Sequence, residues 1–125
     1  MRNLLRKMNV KVVCTTDDPV DTLEYHQKIK DDGFEIKILP AFRPDKAMNA
    51  DDTLALNEYI SKLEKVRDIS ISSYGDYLKA LKKRHDYFAE NGCSVSDHGL
   101  EQLYDEDYTD KEIAEVFSEI KNGKS

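Results

Sequence analysis

The chain has 125 residues, 19 lysines and arginines against 25 aspartates and glutamates, and a formal net charge of −6. That length accommodates one domain at most. The acidity argues against non-specific nucleic-acid binding, and no apolar stretch approaches the ~20 residues of a membrane-spanning helix. The first residues also lack the apolar core of a signal peptide, so a cytoplasmic protein is expected. Hydrophobic residues make up 39% and charged residues 35%, which is hydrophilic for a compact domain and suggests that part of a core is missing. Cys14 and Cys93 fall in different strands and are expected to be reduced and partly buried.

Leu4, Leu5 and Met8 share a helical face, so residues 1–9 are read as a helix that enters a strand with no linker, like the tail of a longer structure. A short apolar strand is expected near 10–14. Thr16, Asp17 or Asp18 then caps a helix that has Pro19 at its first position and runs to about Lys30. A second strand is expected near 34–39, where Phe34, Ile36 and Ile38 alternate with Glu35 and Lys37. Residues 46–92 form a long helical crossover. Its first helix, about 52–67, carries Leu56, Tyr59, Ile60 and Leu63 on one face. Its second is capped by Ser73 with Asp76, has Tyr74, Leu78, Leu81, His85 and Phe88 as its stripe, and ends at Gly92. Lys82-Lys83-Arg84 within it reads as a solvated face. A third strand is expected near 93–97 and a helical turn at 100–104. A last helix is opened by Thr109 with Glu112 and has Ile113, Val116, Phe117 and Ile120 as its stripe.

Strands separated by helices imply a parallel sheet with right-handed crossovers. The predicted fold class is α/β. Three consecutive parallel β/α units would form part of a (β/α)8, TIM-like barrel, with a two-helix insertion before the third strand. A closed barrel takes about 250 residues, so residues 1–125 are read as a single segment of a larger barrel domain.

In parallel α/β proteins, ligand sites lie at the C-terminal ends of strands. All three expected strands end in polar residues, and these are read as one rim. Arg43 follows the second strand. A guanidinium there can bind a carboxylate or phosphate through two bonds, or form a salt bridge with Asp45 or Asp17. His98 follows the third strand, where an imidazole can ligate a divalent metal, move a proton or simply pack. Asp97 can orient that ring or cap the next turn. Thr16 and Asp17 end the first strand, as site residues or helix caps. His26 and His85 lie within helices and read as packing or surface residues. There is no glycine-rich phosphate loop, paired-cysteine metal knuckle or serine elbow.

Three motifs together resemble uronate (glucuronate) isomerase of the amidohydrolase superfamily. They are Val13-Cys14-Thr15-Thr16-Asp17-Asp18-Pro19 followed by Leu23-Glu24 and His26, Leu39-Pro40-Ala41-Phe42-Arg43-Pro44-Asp45-Lys46-Ala47, and Gly92-Cys93 with Ser96-Asp97-His98-Gly99. Ser94 stands where similar sequences often have a basic residue. The resemblance implies a distorted (β/α)8 barrel that interconverts D-glucuronate with D-fructuronate and D-galacturonate with D-tagaturonate by aldose–ketose isomerisation. It implies a divalent metal such as zinc in the full-length enzyme, with the other ligands outside these residues, so this segment alone is expected to hold no metal tightly and to be inactive. It makes His98 and Asp97 the catalytic candidates, with His98 close to the metal. Arg43 becomes the clamp for the sugar-acid carboxylate, with Asp45, Thr16 and Asp17 also binding substrate. The segment is expected to self-associate through exposed barrel edges. The rival readings are a stand-alone α/β module that binds a small acid, and a segment of another amidohydrolase-type metalloenzyme.

Overall fold

The computed structural model describes residues 2–100 and 105–123. In chain order they form α1 (Arg2–Lys7), β1 (Val12–Asp17), α2 (Glu24–Asp31), β2 (Lys37–Phe42), a 3-10 turn (Asp45–Met48), α3 (Thr53–Arg67), α4 (Tyr74–Glu90) and α5 (Asp110–Lys121). β1 and β2 are parallel and in register, from Val12 opposite Lys37 to Asp17 opposite Phe42. The fold is therefore mixed α/β, with a two-stranded parallel sheet and helices around it. The turn expected at 100–104 falls mostly on residues 101–104, outside the described residues.

Both strands run further toward their C-terminal ends than the apolar runs suggest. In β1 the polar residues remain in the ladder because their side chains are satisfied locally. The Thr15 hydroxyl lies 2.6 Å from Asp17 Oδ2 and 3.3 Å from the Leu39 carbonyl. Pro40 is tolerated inside β2 because of its position. The amides of Lys37 and Arg43 donate to carbonyls of residues 11 and 17, so the odd positions of β2 face β1. Even positions, Pro40 among them, face the outer edge, where the missing N–H costs no bond to β1.

The expected third strand is reduced to one parallel bridge, Phe42 to Ser96. Phe42 N–H donates to Val95 C=O at 3.1 Å, and Asp97 N–H donates to Phe42 C=O at 3.3 Å. Continuing that register backwards sets Pro40 opposite Ser94, where position 40 has no amide to donate. The Cys93 amide is also spent elsewhere, on the Phe88 carbonyl at the end of α4. Of the three expected β/α units, two thus carry a strand among the described residues, and the third contributes only the bridge at Ser96.

Most of the core is helical. Leu56, Tyr59, Ile60 and Leu63 of α3 meet Tyr77 and Ala80 of α4 and Phe117 and Ile120 of α5, with Ala47 and Ile71 completing the cluster. The α3 stripe and both capping boxes, Ser73 with Asp76 and Thr109 with Glu112, match the sequence pattern. Asn57 ties α3 to α5 by donating to the Ile120 carbonyl at 2.6 Å. A smaller cluster of Leu23, Phe42 and Phe88 joins the sheet to α4.

The buried face of α4 differs from the expected one. Tyr77, Ala80, Arg84 and Phe88 are buried, while Leu78 and His85 are exposed. Arg84, expected on a solvated face, is only 3% exposed. Its Nε donates to the Pro19 carbonyl, its Nη2 donates to the Asp21 carbonyl at 2.6 Å, and its guanidinium stacks over Tyr87. This explains why α2 begins at Glu24 rather than Pro19. The carbonyls of Pro19 and Asp21, which would open a helix at Pro19, are turned toward Arg84 instead. Asp18 and Asp21 carboxylates accept the amides of Val20 and Leu23 in two tight side-chain turns.

α1 buries no residue, and Leu4 and Met8 are exposed, so its apolar stripe is not what attaches it. Arg2 pairs with Asp32, Arg6 pairs with Glu35, and both guanidiniums lie over the Phe34 ring. Cys14 is exposed rather than partly buried, because even positions of β1 face away from the helices.

Two measurements test this anatomy. Arg84→Ala leaves two buried carbonyls without their donor and should cost about 3 kcal/mol in a urea melt, with Arg84→Lys costing about half as much. An unchanged midpoint for both would show that the loop holds without α4. For α1, the Arg6 hydrogen bond holds the Glu35 carboxyl down at about 2, against an ordinary 4.5. A depressed acid stabilises fully above its unfolded value and loses that contribution as pH falls through its folded value. Amide exchange in α1 should therefore accelerate as pH drops from 4.5 toward 2, relative to α3, after correction for intrinsic exchange.

Candidate functional site

The ends of β1, β2 and the 93–97 segment meet through their backbones. Arg43 N–H donates to the Asp17 carbonyl at 3.0 Å, and the Phe42 bonds bring residues 95–97 alongside. Arg43, Asp45, Asp97 and His98, separated by up to 55 positions in sequence, are thereby drawn into one cluster.

Within it, Arg43 Nη2 donates to Asp97 Oδ2. Arg43 Nε lies 3.9 Å from Asp45 Oδ2, beyond hydrogen-bond reach. The expected ion pair with Asp45 is thus present but long, Asp17 reaches Arg43 only through its backbone carbonyl, and the hydrogen-bonded partner is Asp97. That hydrogen bond, aided by the charge, holds Asp97 below the usual carboxylate range and raises Arg43 above its ordinary value. Asp97 Oδ1 and Arg43 Nε are buried atoms without a hydrogen-bond partner among the described residues. A buried carboxylate oxygen and a buried guanidinium nitrogen side by side mark a place where polar capacity is unspent.

Asp45 opens the 3-10 turn, which Ala47 anchors in the helical core and Tyr77 ties down by donating its hydroxyl to the Ala47 carbonyl at 2.8 Å. Burial raises the Tyr77 phenol well above its ordinary range, so it donates and does not ionise. Asp45 Oδ1 lies 3.1 Å from His98 Nδ1, and Oδ2 accepts the Gly99 amide at 2.8 Å. Asp45 was expected to bind substrate, yet both of its oxygens are engaged by residues 98 and 99.

The two remaining candidates separate. Asp17 turns toward the helices. Its Oδ2 accepts the Thr15 hydroxyl, lies 3.6 Å from His26 Nε2, and is 3.4 Å from the Ala41 amide. Thr16 is exposed on the opposite face of the sheet. Neither joins Arg43 through its side chain. His26 is packed, as its helical position suggests, against the Thr15 hydroxyl at 2.7 Å. Sequence reading missed the Gly99 amide and Thr15. Both residues stand in the motifs quoted above, but neither was given a role there. Among the described residues, no three histidine, cysteine, aspartate or glutamate side chains are grouped to hold a metal ion, and no helix is long and apolar enough to cross a membrane.

A parallel β/α arrangement with charged groups gathered at the C-terminal strand ends is the place where α/β proteins build ligand sites. The family model described as glucuronate isomerase matches residues 1–125, and the chain belongs to that family. It is 52% identical over 122 residues to the uronate isomerase of Bacteroides fragilis, covering 98% of this chain and 26% of that protein. It is 48% identical over 124 residues to the uronate isomerase of Cellvibrio japonicus, with the same coverage. Among solved structures, uronate isomerase from Thermotoga maritima superposes with a TM-score of 0.91 at 38% identity, over 98% of this chain and 27% of that one. Glucuronate isomerase from Caulobacter crescentus superposes with a TM-score of 0.85 at 25% identity. The chain thus spans about a quarter of the length of the relatives it matches.

Proposed function

We propose that residues 1–125 are one segment of a larger barrel domain in a uronate isomerase, which interconverts D-glucuronate with D-fructuronate and D-galacturonate with D-tagaturonate. The observation that carries this is the match to uronate isomerases across the whole chain together with the Arg43–Asp97–Asp45–His98 cluster at the strand ends. In this reading the two-stranded sheet and the bridge at Ser96 are an internal part of a (β/α)8 barrel that other segments complete.

Arg43 is the clamp for the sugar-acid carboxylate. Its planar fork suits two parallel bonds to a carboxylate, and Asp97 already occupies one of its nitrogens. Asp97 is kept ionised by Arg43, so it accepts hydrogen bonds or a proton and does not donate one. A substrate carboxylate that draws the guanidinium away leaves Asp97 more basic, which couples anion binding to proton transfer between sugar carbons. His98 stands beside them as the second proton-handling group. Thr16 and Asp17 contribute to the rim, Thr16 from the solvent-facing side of the sheet and Asp17 by holding the end of β1.

The metal implied by the resemblance does not fit these residues alone. A catalytic zinc takes about three protein ligands, and no such group of three surrounds His98 among the described residues. No step is therefore assigned to a metal, and the 125-residue chain is expected to lack isomerase activity. The decisive experiment exchanges the matching segment of the Bacteroides fragilis enzyme for these residues. The folded chimera should convert glucuronate, and Arg43→Lys in it should raise KM about tenfold or more, since the bidentate contact is lost. A folded chimera inactive on both glucuronate and galacturonate, or conversion by the isolated chain, would overturn the reading.

The open sheet also supports self-association. Val12, Cys14 and Thr16 direct their backbone groups to the outer edge of β1, where no strand pairs among the described residues. Sedimentation velocity should show a weight-average mass that rises with concentration. A concentration-independent monomer would count against association.

A further inference from the structure

Asp45 makes two bonds to two consecutive residues. Oδ1 meets the His98 ring, and Oδ2 meets the Gly99 amide. A Cβ at position 99 would stand 3.1 Å from Oδ2, a tight contact from which the carboxylate would have to retreat by a few tenths of an ångström. The carboxylate is itself held from below. Its 3-10 turn is fastened through Ala47 to Tyr77 and the helical core. A rigid core element thus reaches up and grips the residues that carry the imidazole.

An ionised carboxylate only accepts hydrogen bonds, so the nitrogen facing it must carry the proton. In the neutral ring of His98 that nitrogen is Nδ1, which leaves the lone pair on Nε2. His26 sits in the opposite state. Its Nε2 faces the Thr15 hydroxyl at 2.7 Å, and that hydroxyl donates to Asp17 at 2.6 Å, so Nε2 must be the donor.

We propose that Asp45 is a positioning residue, which fixes His98 as the Nδ1–H tautomer and presents Nε2 as the unprotonated nitrogen that accepts a hydrogen bond from a substrate hydroxyl. The second half rests on the sugar-acid reading above, and the first does not. It reassigns Asp45 from binding substrate to acting through His98.

The test is long-range proton–nitrogen NMR on this chain, at a pH where the rings are neutral, with His98 assigned by the signals lost in His98→Gln. His98 should show a protonated Nδ1 and an unprotonated Nε2, and His26 should show the reverse. Asp45→Ala should abolish the Nδ1–H preference at His98 and leave His26 unchanged. A wild-type His98 protonated at Nε2, or a pattern indifferent to Asp45→Ala in a folded variant, would overturn the proposal. The wild-type spectrum decides the first point even if the variant does not fold. In the chimera described above, Asp45→Ala should lower kcat about tenfold with KM nearly unchanged, whereas a rise confined to KM would return Asp45 to substrate binding. An inactive parent chimera with the expected tautomers would sink the isomerase reading and leave the tautomer assignment standing.

Discussion

A buried guanidinium holds this structure together. Arg84 reaches from the middle of α4 to the carbonyls of Pro19 and Asp21, across more than sixty positions of sequence. A charge is stable in such a place only when it is richly hydrogen-bonded, and main-chain carbonyls are suitable partners that carry no opposing charge. The consequence is geometric. The stretch between β1 and α2 cannot coil into a helix, Leu23 is driven to complete burial, and the small cluster of Leu23, Phe42 and Phe88 forms around it. The sheet, which has little core of its own, is thereby docked onto the helices.

The rim inherits its order from this docking. Phe42 sits in the packed cluster, and the next residue is Arg43, so the guanidinium projects from an anchored position. The 3-10 turn that bears Asp45 is anchored through Ala47. Two independent attachments to the interior therefore bracket the charged cluster. Within it Arg43 offsets the charge of Asp97, and Asp45 is held by hydrogen bonds from a ring nitrogen and an amide. Such a cluster is stable at rest and still carries buried oxygen and nitrogen atoms that an incoming polar ligand can satisfy.

Helices, caps and the approach of distant strand ends were legible in the sequence, because they follow from local rules. The α3 stripe and the Ser73 and Thr109 boxes depend only on neighbours a turn away. The features that were not legible are tertiary. Nothing local distinguishes Arg84 from Lys82 and Lys83, and its burial depends on carbonyls that are distant in sequence. The third strand reads as a strand, but the register that sets Pro40 opposite Ser94 is invisible until the sheet is assembled. At the site, residue types and rough placement came from motif and strand-end logic. Which carboxylate takes which partner did not, because proximity along the chain pairs Asp45 with Arg43 and Asp97 with His98, whereas the hydrogen bonds of the folded cluster cross those pairs. Thr16 and Asp17 illustrate the limit of that logic. Adjacent residues in a strand point to opposite faces, so the two cannot present their side chains to the same side of the sheet.

Pro40 has one more consequence. The two edges of the sheet are chemically unequal. Along β2 the outward positions are Ile38, Pro40 and Phe42, of which the proline offers no donor and Phe42 is already bridged to residues 95–97. Along β1 the outward positions Val12, Cys14 and Thr16 keep all their amides. A sheet that can be extended on one side only grows by pairing, not by stacking into an indefinite ribbon. The proline thus withholds a donor from the β2 edge, and among the described residues the β1 edge alone keeps a full set of amides for a neighbouring strand.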